Sequence, residues 1–250
     1  MIRSLIRGLI TGFLLVIVMA ASAAAAKTKA DQKVPEALVA LDNRNGPAYA
    51  ILVDKGRQQL LLYAYDGAYH PIYRMACSTG EVRGPKKRSG DKRTPEGVYF
   101  FTREHQKRDL SPIYGSRAYP IDYPNLMDRM AGNGGNAIWL HGTNKSLKPM
   151  DSNGCIVLNN EDIDRLPRYI ILNKTPIIIV DQLAYRSSEQ TAATQQRIQD
   201  LLDVWRRAIE GGSYHQYLAH YDADYVPDIA WWRHWNRTGC ARDFRSDSLP

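Results

Sequence analysis

HGTNKSLKPMDSNGCIVLNN, residues 141–160, sets one histidine and one cysteine fourteen positions apart, each beside a short apolar run. His141 closes the run Ala137 to Leu140, which reads as a short buried strand. Cys155 follows Ser152-Asn153-Gly154, a turn in which glycine removes the side chain that would crowd an approaching carbonyl. A free cysteine titrates at about 8.5, so an effective thiolate at neutral pH needs a neighbour such as an imidazole to take its proton. The backbone N–H groups of Gly154 and Cys155 would then face the oxyanion that forms on an attacked carbonyl. The same two residues also read as a packed histidine and a buried small thiol. Residue types and spacing alone leave these two readings evenly balanced. A metal site needs more ligands at zinc-like spacing, and the sequence has no C-x-x-C and no second histidine near His141, so no metal is expected.

Working outward, a short helix is predicted over Glu161 to Tyr169 with Asn160 as its cap, followed by a buried strand, Pro176 to Val180. Upstream, Ala48 to Asp54, Gln59 to Tyr65 and Tyr69 to Ser78 read as three strands separated by Lys55-Gly56-Arg57 and Asp66-Gly67, which is two hairpins in series. The loop GPKKRSGDKRTPEG, residues 84–97, leads into a strand over Gly97 to Thr102. Residues 103–136 are rich in turn formers and read as one long loop, the kind of segment that is more often functional than idle. A short helix is predicted around Pro35 to Leu41. Residues 182–194 read as a linker. From Ser187 the pattern turns helical, with Ile198, Leu201, Leu202, Trp205 and Ile209 at three- and four-residue spacing until Gly211-Gly212, and a second short helix covers Tyr214 to His220. Trp231, Trp232 and Trp235 stand in an aromatic, polar remainder without a clear period.

The chain has 250 residues, 44% of them hydrophobic, which is enough for one core and an appendage and excludes a disordered protein. Arg3 and Arg7 precede the apolar run Phe13 to Ala21 and the small residues Ser22 to Ala26, the pattern of a secretory signal over residues 1–26. Its apolar part is short of the roughly 20 residues that span a bilayer, so membrane contact is expected only through this segment if it stays uncleaved. Lysine and arginine outnumber acids by 33 to 26. No basic patch interleaved with aromatics accompanies that excess, so no nucleic-acid partner is expected. Three cysteines, Cys77, Cys155 and Cys240, leave at least one thiol unpaired within the chain, in a compartment that favours disulfides. Cys77 reads as a buried thiol, and a Cys77–Cys240 disulfide is not readable from sequence. His70, His105, His215, His220 and His234 lie in turns, loops or the tail and read as ordinary packed or exposed histidines.

Three further features make the stretch more specific. His141-Gly142-Thr143 followed by Ser152-Asn153-Gly154-Cys155 resembles the fingerprint of the L,D-transpeptidase catalytic domain family, a strand ending in His-Gly, then a loop, then Ser-x-Gly-Cys. Thr94-Pro95-Glu96-Gly97-Val98-Tyr99 is similar to that family's TP-x-G-x-[FY] element, and Cys77-Ser78-Thr79-Gly80 to the S-x-G end of its opening strands. The resemblance covers about residues 48–181, with residues 27–47 as an N-terminal segment. It implies a mainly β fold, a β-sandwich with short helices and a long lid loop. It also implies a peptidoglycan stem peptide as substrate, a periplasmic or cell-envelope location and no cofactor. By the same resemblance Cys155 is the nucleophile, His141 the base and Gly142 the carbonyl that orients the imidazole. Ser152, Asn153, Gly154 and Thr143 are then the oxyanion and substrate-binding residues.

One position departs from the pattern. Family members commonly carry arginine two residues after the cysteine, and this chain has Val157. That leaves three functions in view: an L,D-transpeptidase, an L,D-carboxypeptidase that trims tetrapeptides to tripeptides, and an inactive wall-binding module. The segment Ile198 to Val226 resembles the opening helices of the cone-shaped α+β domain of nuclear transport factor 2. Residues 195–250 are therefore expected to form an incomplete copy of such a domain, since a closed core of that type needs roughly twice as many residues.

Overall fold

In the computed structural model, which describes residues 33–39, 41, 48–211 and 213–221, the described chain begins with β1 (Lys33–Pro35) and continues through β2 (Ala48–Asp54), β3 (Gln59–Tyr65) and β4 (Tyr69–Ala76). Antiparallel pairing of β2 with β3 and of β3 with β4 makes the two predicted hairpins. After β5 (Gly97–Phe100), residues 103–136 are not the single loop expected. They contain β6 (His105–Gln106), β7 (Arg117–Pro120) and the helix α1 (Leu126–Met130), joined by tight turns. These elements are too short for a periodic signal, and tertiary pairing with neighbouring strands holds them. There follow β8 (Trp139–His141), β9 (Ile156–Val157), α2 (Asn160–Ile163), β10 (Pro176–Val180) and β11 (Tyr185–Ser187).

Two sheets face each other. The first has the order β4-β3-β2-β10-β5 and the second β6-β7-β8-β9. Alternation along each strand sends one set of side chains between them, Ile51, Val53, Leu60, Leu62 and Ile177 from the first sheet and Tyr119, Leu140 and Ile156 from the second. The opposite set on the first sheet, Ala50, Leu52, Leu61 and Ile178, is covered by Val34, Leu38 and Leu183. With both faces buried, β2 and β10 need continuous apolar runs, AILV and IIIV. Each such leucine or isoleucine stabilises the fold by roughly 1.5–3 kcal/mol.

Three local expectations are corrected. The helix expected near Pro35 to Leu41 is instead the strand β1 followed by a turn, because β1 pairs with β11 and places Val34 and Leu38 on the first sheet. The helix expected over Glu161 to Tyr169 splits into α2 and a separate turn, Pro167–Tyr169, since Pro167 has no N–H to continue the ladder. The cap of α2 is Asn159, and the Asn160 side chain is turned elsewhere. Residues 182–194, read as a linker, hold β11 and the start of α3 (Ser188–Glu210). Ser187 and Gln190 cap that helix reciprocally, which overrides the weak local pattern.

The described residues fall into two compact units, one ending at Arg186 and a helical one starting at Ser187. In the helical unit α3 packs Trp205, Ala208 and Ile209 against Tyr214, Tyr217 and Tyr221, which lie in or beside α4 (Tyr214–Leu218). Ile198, Leu201 and Leu202, which share the three- and four-residue spacing, are exposed. Expectations about residues 1–26, Gly212, Trp231, Trp232, His234, Trp235 and Cys240 lie outside the described residues.

Candidate active site

The fourteen-residue spacing of His141 and Cys155 is the crossover of a parallel strand pair. Strand β8 ends at His141, the chain loops through residues 142–155, and β9 starts at Ile156 beside Leu140. Parallel neighbours require a connection of about a dozen residues or more. Leu140 and Ile156 point into the core, so His141, Cys155 and Val157 share the opposite face, where all three line a cleft of about 580 Å³.

The histidine is buried, and its Nδ1 lies 2.7 Å from the Gly142 carbonyl oxygen. A carbonyl only accepts, so Nδ1 carries the proton and Nε2 is left with a lone pair. Burial lowers the pKa of His141, opposed in part by this hydrogen bond. The ring is neutral at pH 7 and ready to accept a proton. The edge of Tyr114 meets it at 5.1 Å between centroids, and Tyr114 in turn lies against Trp139. Ile113 and Tyr114, from the segment expected to act as a lid, form one wall of the cleft.

Cys155 is half-buried, and its Sγ lies 3.7 Å from the Ala137 carbonyl oxygen. Burial raises the thiol pKa, while a backbone hydrogen bond from Trp139 and the charge of Lys86 lower it. The turn before it requires glycine twice over. Gly154 has φ +125°, and a Cβ there would stand 2.7 Å from the Arg93 carbonyl oxygen. The N–H of Gly154, expected to face an oxyanion, instead donates to Ser152 Oγ at 3.1 Å. Ser152 Oγ donates to the Cys155 carbonyl at 2.7 Å, so this serine staples the turn. Asn153 is exposed on the cleft wall, and Thr143 Oγ1 accepts from the Lys145 N–H at 3.1 Å. The bends around Gly142 are equally tight, since a Cβ on it would meet Asn160 Oδ1 at 2.4 Å.

Residues 48–179 match the L,D-transpeptidase catalytic domain (YkuD). The chain belongs to this family. YafK of Escherichia coli (strain K12) is 28% identical over 174 residues, 67% of this chain and 66% of YafK. The chain therefore spans just under two thirds of that relative's length. The solved structure of Bdellovibrio bacteriovorus Bd1075 is 28% identical with a TM-score of 0.72, covering 84% of this chain and 77% of that one. The helical cell shape determining protein Pgp2 from Campylobacter jejuni has the same fold, with a TM-score of 0.64 at 23% identity over 84% and 74% of the two chains.

The three quoted motifs of this L,D-transpeptidase domain meet at one hydroxyl. Thr94 Oγ1 accepts from the Gly80 N–H at 2.8 Å and donates to the Gly154 carbonyl at 2.9 Å. The TP, S-x-G and S-x-G-C elements are thus one hydrogen-bonded frame around the cysteine. Bridges between Ser78 and Val157 and between Gly80 and Ser152 extend it. Three supporting residues escape sequence reasoning. Gln58 binds Thr79 and the Met150 N–H through its amide. Asn160 accepts from the Ser116 N–H and donates to Asn144. Lys86 is buried at 3% exposure beside Asp91. Gln58 and Asn160 act across long sequence separations, and Lys86 reaches the cleft of Cys155 from a loop distant in the chain, so no local pattern marks them. Among the described residues no group of three or more His, Cys, Asp or Glu is placed to hold a metal ion. Cys77 is a free, buried thiol with its pKa pushed up to about 12, chiefly by burial.

Proposed function

We propose that this protein is an exported cysteine acyltransferase of peptidoglycan, an L,D-transpeptidase acting in the periplasm on stem tetrapeptides. The observation that carries this reading is that Cys155 and a neutral, carbonyl-oriented His141 line the same cleft. His141 Nε2 takes the thiol proton, and the sulfur attacks the carbonyl of the diamino acid that precedes the terminal D-alanine. As the carbon–nitrogen bond breaks, the D-alanine amine leaves with the proton held on His141, and a thioester remains on Cys155. An amine of a second stem peptide then displaces the sulfur and forms a cross-link. No cofactor enters these steps.

A second reading, an L,D-carboxypeptidase, is favoured by Val157. This side chain is buried and apolar where relatives commonly carry an arginine, and the cleft so lacks one fixed cation for an incoming stem. Water would then resolve the thioester. Incubation with tetrapeptide muropeptides and mass spectrometry separates the readings: dimers joined through two diamino acids support transfer, and tripeptide alone supports hydrolysis. Unchanged muropeptides together with no carbapenem adduct on Cys155 would refute both and leave a wall-binding module.

A further inference from the structure

Two lysines are buried in the same region, and their surroundings differ. Lys55 Nζ reaches three acceptors, the Gly84 and Thr94 carbonyls and Glu96 Oε1, which matches its three N–H donors. Lys86 Nζ reaches two, Asp91 Oδ1 at 2.7 Å and the Arg88 carbonyl at 3.1 Å. Lys55 lies away from the cleft, and Lys86 lines it together with Cys155. An ammonium at 3% exposure with a donor to spare is costly to keep. Its retention at the wall of a reactive cleft calls for a use.

The loop is wound to hold that charge in place. Asp91 binds the ammonium and also accepts from the backbone N–H groups of Lys87, Arg88 and Arg93. The Lys86 stem lies close to Gly135, where an added Cβ would stand 3.0 Å from Lys86 Cε. Two residues on, Ala137 takes φ +56° and presents its carbonyl to Cys155 Sγ. The lysine thus leans on the segment that touches the sulfur.

The other charged or titratable groups facing the cleft, besides Cys155, are Glu81, Tyr114, His141, Lys145, Lys148 and Asp151. Lys145 and Lys148 are exposed, so solvent and salt screen them. His141 is neutral at rest. Val157 contributes no charge.

We propose that Lys86, clamped by Asp91, is a positioning residue that supports the thiolate of Cys155 from the cleft wall, supplying a cation on the face where position 157 is apolar. This rests on the reading of Cys155 as the nucleophile. The ammonium lowers the cost of the negative sulfur once His141 has taken the proton, and it moves no proton itself.

The test follows iodoacetamide alkylation of the Cys155 peptide by mass spectrometry in the full-length protein between pH 6 and 11, which needs no wall substrate. Lys86→Met should raise the midpoint by about one pH unit, the effect of removing one nearby opposite charge. Lys86→Arg should stay close to the parent, and Lys148→Met should leave the midpoint unchanged. Because Lys86→Met strands a buried carboxylate and is liable to misfold, Lys86→Gln, whose amide N–H can still donate to Asp91 without carrying a charge, is the second arm, with the same upward shift expected. An unchanged midpoint in Lys86→Gln overturns the proposal, as does an equal shift in Lys148→Met. A raised KM for muropeptides without a midpoint shift also overturns it and assigns Lys86 to an anionic group of the substrate. Inactivity of the parent toward muropeptides together with no carbapenem adduct on Cys155 would refute the acyltransferase reading while leaving the alkylation result standing.

Discussion

Thr94→Val isolates the frame behind the nucleophile, because valine keeps the shape of threonine and removes only the hydroxyl. That oxygen is fully buried and joins the Gly80 N–H at 2.8 Å to the Gly154 carbonyl at 2.9 Å, both on buried residues. Substitution orphans one backbone donor and one backbone acceptor. An unsatisfied buried polar group costs about 1–3 kcal/mol, so the pair costs about 2–6 kcal/mol. Relaxation of the turn toward the neighbouring cleft keeps the loss near about 3 kcal/mol. For a unit of this size each kcal/mol shifts Tm by roughly 2–4 °C, and the midpoint should fall by about 6–12 °C. Thr94→Ser keeps both hydrogen bonds and removes one methyl, worth about 0.8 kcal/mol. Differential scanning calorimetry on the two variants and the parent makes the comparison. A Thr94→Val midpoint equal to that of Thr94→Ser would refute the claim that this hydroxyl ties the three motifs together.

Three further outcomes are expected. Gly154→Ala should destabilise by about 2–4 kcal/mol and abolish Cys155 acylation by a carbapenem, since φ is +125° and the Arg93 carbonyl leaves no room; urea unfolding and intact-mass analysis check both. His141 has its pKa lowered by burial, so protons bind the unfolded state more readily than the folded one below the ordinary histidine value of about 6.5. Stability should therefore be fully present above that pH and fall on acidification down to the folded value. His141→Gln should flatten that part of a Tm-against-pH curve, and the acid limb of kcat/KM should lie below about 6.5. Cys77, with its pKa near 12, should stay unmodified by a thiol reagent at pH 8 in native protein and react in denaturant, read by peptide mapping.

Much of the fold was legible where local chemistry and tertiary placement agree. The β2 and β10 boundaries, Ala48–Asp54 and Pro176–Val180, coincide with their apolar runs because these central strands are buried on both faces. The short pieces between Thr102 and Ile138 were not legible. A two-residue strand such as His105–Gln106 exists only because Ala118 and Arg117 pair with it. Helix α2 failed for a related reason, in that Asn160 serves Ser116 and Asn144 across the fold instead of its own N-terminus.

The candidate site divides in the same way. Its chemical identity was set by the sequence alone: a histidine before glycine, a cysteine after Ser-x-Gly, and a valine where an arginine is common. Those residue types limit what chemistry the cleft can perform. Only the tertiary structure decided the state of each group. The Gly142 carbonyl selects the imidazole tautomer, Ser152 takes the Gly154 N–H that was expected to face an oxyanion, and Thr94 and the Lys86–Asp91 pair come in from loops that lie distant in the chain. Burial, hydrogen-bond geometry and proximity of charge depend on which segments pack together, and a spacing pattern along one stretch carries no record of that.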